Sequence, residues 1–111
     1  SPDDLAITVD NQAETLREML LGEAYLDLDE LVALDPSATE RYLAGLKGFN
    51  TENIELLANT LEDIGLGGEA PGSRVLLEKA LQLYEICSMR DRTFSFEREA
   101  AVRRISEALQ K

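Results

Sequence analysis

Apolar residues recur along this chain at intervals of three and four, the spacing that keeps side chains on one side of a helix. Leu5, Val9, Ala13, Leu16 and Leu20 form the first such stripe. Ser1-Pro2-Asp3-Asp4 ahead of it reads as a helix start: a serine cap, a proline where its missing N–H costs nothing, and two carboxylates at the positive end of the helix dipole. The β-branched run Ile7-Thr8-Val9 weakens the helix near its start, so Asp10 is an alternative cap, and Gly22 is expected to end it. Asp27 then predicts a short helix carrying Leu28, Leu31 and Val32. Asp35-Pro36 predicts another with Tyr42, Leu43 and Leu46, closed by Gly45 and Gly48.

Asn50-Thr51-Glu52 begins a more regular segment with Ile54, Leu57, Ala58, Leu61 and Ile64 on one face. From Gly65 to Gly72 the chain holds four of its seven glycines and a proline, which predicts a loop. Ser73 leads into the most regular helix, with Leu76, Leu77, Ala80, Leu81, Tyr84 and Cys87 in adjoining rows up to about Met89. Thr93 or Ser95 caps a last helix bearing Phe96, Ala100, Ile105 and Leu109. The links between these last helices are short, so antiparallel neighbours are expected. The pattern predicts a single all-α domain of five or six antiparallel helices. Residues 1–50 are its acidic N-terminal helices, 51–90 a helical hairpin and 93–111 a C-terminal packing helix.

The composition supports this and narrows the chemistry. Of 111 residues 44% are apolar, only 5% aromatic and none tryptophan, so the core is built from Leu, Ile, Val and Ala, which suits helices on helices. No apolar run, Met19-Leu20-Leu21 included, approaches the roughly 18 residues of a membrane span. A lone Cys87 allows no internal disulfide and suits a reducing compartment. The cytoplasm is the expected location, with a removed targeting signal ahead of Ser1 left open. With no histidine, Ser-His, Cys-His and His-zinc chemistries are closed. The 22 acids against 11 bases give a net charge of −11, which repels duplex DNA and anionic membranes; neither is expected as a partner. The charge is uneven: residues 1–70 hold 16 acids and 3 bases, residues 71–111 hold 6 acids and 8 bases. Arg90, Arg92, Arg98, Arg103 and Arg104 cluster in the second part, an asymmetry that either pairs within one molecule or attracts a second one, with a solvated face as the plainer reading.

Ile54, Leu57, Ala58, Leu61, Gly65, Ser73, Leu77 and Ala80 follow, in order, the alternation of large, small and glycine positions found in tetratricopeptide repeats. The segment 54–85 resembles a degenerate hairpin of that family, most closely at Glu78-Lys79-Ala80-Leu81-Gln82-Leu83-Tyr84. The loop between Gly65 and Ser73 is longer than the family's spacing, Ile54 and Leu61 replace its aromatics, Glu85 replaces its terminal proline, and no second copy follows. The layout, including the junction at 90–97, is also similar to small bacterial proteins described as tetratricopeptide-like. The resemblance implies binding of a protein or peptide along a helical face, at the apolar residues Leu61, Leu77 and Tyr84 that a lone hairpin leaves open.

Other constellations are weaker. Asp27, Asp29 and Glu30 suggest a calcium loop, but Leu31, Val32 and Ala38 occupy its fifth, sixth and twelfth positions, so capping is the better account. Gly65-Leu66-Gly67-Gly68-Glu69-Ala70 satisfies G-x-G-x-x-A, yet a helix rather than a strand precedes it and Glu69 would repel phosphate. Cys87 lies in the apolar row with Ala80 and Tyr84, as a packed thiol does. Phe94 and Phe96, among arginines, could stack a nucleic-acid strand, but bases are few; Phe96 is expected to pack on the hairpin with Phe94 stapling the helix start. Carboxylate pairs such as Glu62 and Asp63 are the raw material of a small hydrolase, without a sign of the walled cleft it needs. The expected role is therefore a non-enzymatic protein-interaction module without cofactor or metal, binding a peptide or a second copy of itself. An acidic decoy or chaperone for a basic or nucleic-acid-binding protein is the alternative, and a carboxylate-dependent hydrolase the second.

Overall fold

A computed structural model describes the backbone of residues 2–68 and 71–111 and the side chains of residues 12–68 and 72–111. The described residues form six helices and no strand: α1 (Pro2–Ala24), α2 (Leu28–Ala33), α3 (Pro36–Ala44), α4 (Thr51–Gly67), α5 (Pro71–Asp91) and α6 (Phe96–Leu109). The protein is all-α. Among the described residues no helix is long and apolar enough to cross a membrane. The chain divides into two compact units, Ser1–Gly48 and Phe49–Lys111.

In the first unit the capping residues act where their spacing places them. Asp27 accepts from the Glu30 N–H at 3.2 Å and Asp35 from the Ala38 N–H at 2.7 Å, opening α2 and α3, the latter with Pro36 in its first turn. The Tyr42 hydroxyl accepts from the Asp27 N–H at 2.9 Å and ties α3 to the start of α2. Arg17 pairs with Asp29 at 2.9 Å between α1 and α2. Ala13, Leu16 and Leu20 of the predicted stripe are buried; the Ser1 cap and the side chains of Leu5 and Val9 lie outside the described residues. Gly22 does not end α1. Its surroundings are open, so it costs the helix only about 1 kcal/mol relative to alanine, too little to break the ladder. The stop comes at Tyr25, in the left-handed region at φ 56°, from which Leu26 N–H turns back to the Leu20 carbonyl at 3.1 Å.

In the second unit Asn50 caps α4 by accepting from the Asn53 N–H at 2.8 Å, and the predicted face from Ile54 to Ile64 is buried. The predicted loop is shorter than its glycines suggest: α4 continues through Gly65 to Gly67, Gly68 caps it, and α5 begins at Pro71. Proline suits a first turn, and Gly65 serves packing. A Cβ there would lie 2.7 Å from Cγ and Cδ2 of Leu77 and 3.2 Å from the Ser73 carbonyl oxygen, so the two helices meet here backbone to side chain. Further contacts run Glu62 to Tyr84, Thr51 to Cys87 and Phe49 to Arg90, descending along α5 as α4 ascends; the pair is antiparallel. α5 buries Lys79, Leu83 and Ile86 as well as the predicted row, with Leu81 half-buried.

The buried face of α6 differs from the predicted one. Arg98, Ala101 and Ile105 are buried, Leu109 is half-buried, and Phe96 and Ala100 are exposed. Ser95, not Thr93, is the cap, accepting from the Arg98 N–H at 3.2 Å. At 100° per residue Phe96 is half a revolution away from Ile105 on the helix, whereas Arg98 lies almost beneath it. Phe94 does not staple the helix start, because the position it would meet is Glu99. It packs edge-on against Phe96 instead, ring centroids 4.8 Å apart at 86°.

Candidate binding cleft between helices α4 and α6

Two arginines fasten α6 to the hairpin. Arg98, 8% exposed, donates from Nε to Glu55 at 2.7 Å, from Nη2 to Asp91 at 2.9 Å and from Nη1 to the Ser88 hydroxyl at 3.2 Å. The Asp91 hydrogen bond, followed by that of Glu55, outweighs burial and raises the guanidinium pKa further above its ordinary value. In return the Arg98 hydrogen bond, helped by the Thr93 N–H, holds the Asp91 carboxyl below its ordinary value. Arg104 grips Glu62 through Nε at 2.9 Å and Nη2 at 3.4 Å, with Glu62 buried and the outer side of Arg104 in solvent. Glu55 and Glu62 ascend α4 in the same sense as Arg98 and Arg104 ascend α6, so α6 runs parallel to α4.

Behind Glu62 stands Tyr84, whose hydroxyl lies 2.9 Å from Glu62 Oε1 and 2.5 Å from the Asn59 side chain. A phenol has one proton. The carboxylate is the stronger acceptor and takes it, which leaves the Asn59 amide to turn its NH2 toward the hydroxyl. Burial first, and then the Glu62 hydrogen bond, raises the Tyr84 pKa well above 10, so the hydroxyl stays a donor. Between α4 and α6 these residues border an open cleft of about 330 Å³ lined by Glu55, Asn59, Tyr84, Ser95, Glu97, Arg98, Ala101 and Arg104. Phe94 and Phe96, on either side of Ser95 in the chain, are 65% and 79% exposed.

The predicted site residues are distributed differently from their expected grouping. Arg98 and Arg104 meet at the cleft, Arg90 is half-buried with Nη1 3.5 Å from the Phe49 carbonyl, and Arg92 and Arg103 are exposed. Leu61, Leu77 and Tyr84 are 0%, 5% and 2% exposed. They do not form an open docking face, because the close approach at Gly65 lets α4 and α5 fill the space between them with these side chains. Sequence reasoning missed Glu55, Asn59, Ser88 and Asp91. One signal was present: Glu62 stands beside Leu61 within the apolar arc of α4, an unusual place for an acid.

The remaining candidates have structural roles. Cys87 is buried, its Sγ 3.5 Å from the Thr51 carbonyl, and burial pushes its thiol up to about 11. Gly65 and Gly67 of the glycine-rich motif are helical, while Glu69 and Ala70 lie outside the described residues. Among the described residues no group of three or more Cys, Asp or Glu side chains could hold a metal ion. No family model matches the chain, and no curated protein or solved structure matches it either.

Proposed function

We propose that this chain is a non-enzymatic protein-interaction module that takes a partner peptide beside α6, with Phe94 and Phe96 as its apolar contact and the α4–α6 cleft as its polar one. The exposed edge-to-face pair carries this reading. Two phenylalanines in solvent next to a charged cleft have the make-up of an interaction hot spot. Covering each ring is worth roughly 1.5–3 kcal/mol. The tetratricopeptide-like order of residues from Ile54 to Ala80 supports the same class of role. So does the use of the reactive groups: the Cys87 thiol is protonated and buried, and Glu55, Glu62 and Asp91 are engaged by guanidinium donors.

A random peptide library displayed against the whole chain tests this. Enriched peptides are expected to bind the F94A/F96A double variant at least about a hundredfold more weakly, a difference of about 3 kcal/mol, while its helical circular dichroism is unchanged. A library that yields no binder, or binders indifferent to both substitutions, overturns the reading. The acidic-decoy alternative draws on residues 1–48, where 11 acids face 3 bases. It requires a basic partner whose affinity falls steeply with salt and survives loss of the phenylalanines.

A further inference from the structure

We infer that α6 is an exchangeable element, and that the α4–α5 surface it occupies also accepts the α6 of a second copy of this chain. The inference is independent of the peptide-binding reading. The fit of the occupant is already visible, since the groups that hold α6 in place (Glu55, Glu62, Ser88 and Asp91) all belong to or immediately border the other two helices. A second copy offers the same Arg98, Ala101 and Arg104 to the same partners, so the contact itself is unchanged by exchange. The apolar share of the attachment is small: of the three side chains α6 buries, one is an alanine and one is an arginine. Charge-assisted hydrogen bonds carry much of the rest, and they form equally well between chains.

The link favours exchange. Only Arg92–Ser95 separate α5 from α6, and the chain must reverse within them because the two helices are antiparallel. The reversal starts at Arg92, held at φ 55° in the left-handed region where a residue with a Cβ is strained. An extended link relieves that strain and sends α6 to a neighbour, the route by which short strained hinges promote swapping. Phe94 lies within this link and Phe96 directly after it.

Light scattering of the whole chain over a wide concentration series, followed by isotope-filtered NMR on a mixture of labelled and unlabelled copies, tests the inference. A dimer is expected to accumulate with concentration, to revert slowly on dilution, and to show intermolecular contacts between the Ala101 methyl and the Tyr84 ring, both of which line the cleft. Arg92→Gly, which removes the strain from both monomers that make a dimer, is expected to raise the dimer dissociation constant about a hundredfold. A monomer at every concentration overturns the inference, and so does a dimer in which the Ala101–Tyr84 contacts are purely intramolecular. Neither result touches peptide binding at the phenylalanines, which the library experiment decides separately.

Discussion

At Gly65 a hydrogen atom in place of a methyl group sets how near α4 comes to Leu77. Gly65→Ala gains helix propensity of about 1 kcal/mol but drives a carbon into Leu77 Cγ, which has no room to retreat in a filled core. Overpacking of this kind costs about 1–3 kcal/mol, and urea unfolding should show a lower midpoint for the variant. At Cys87 burial and a thiol pKa of about 11 leave on the order of one molecule in a thousand ionised at pH 8. Labelling by a thiol reagent should therefore be slow in buffer and fast in denaturant. At Asp91 the folded carboxyl pKa is lowered, so the stability it contributes is complete above the ordinary value of 3.8 and is lost as pH falls through the lower folded-state value. Arg98→Met should weaken the second unit at neutral pH and flatten this acid limb, which denaturant midpoints measured across the acid range will show.

For the helices, the sequence was legible where one signal dominated. Asp27, Asp35 and Asn50 each cap the helix they were expected to cap, and the α4 face from Ile54 to Ile64 is buried. It misled where two signals competed. Glycine at 22 and 65 read as punctuation, yet one position is open to solvent and the other is a packing contact. On α6 the bulk of Phe96 suggests an inward face that its angular distance from Ile105 denies, and the arginine directly under that isoleucine carries a charge that argues for surface. The carboxylates that make Arg98 an acceptable buried residue are on α4 and at the end of α5, so no local pattern announces them. The corrected face makes a sharp contrast. Ile105→Ala should cost about 2–5 kcal/mol, and Phe96→Ala less than about 0.5 kcal/mol, by thermal or urea unfolding.

For the whole chain, the two units differ in charge. Residues 1–48 hold 11 acids and 3 bases, net −8, and residues 49–111 hold 11 acids and 8 bases, net −3. The arginine-rich segment thus reads as basic only until Glu55 and Glu62, from an earlier helix, are set against it. The boundary falls at Gly48, where φ is +86° and the chain is exposed beside Lys47. Brief trypsin treatment should cut after Lys47 well before it cuts after the buried Arg98, a sequence of events that mass spectrometry of the fragments will resolve. Because α6 runs parallel to α4, Lys111 emerges at the end of the hairpin where α4 turns into α5, a helix of 14 residues away from Phe96, or about 20 Å. A fluorophore attached at Lys111 is thereby held clear of the aromatic pair within the second unit, so it can report peptide capture without competing for the rings.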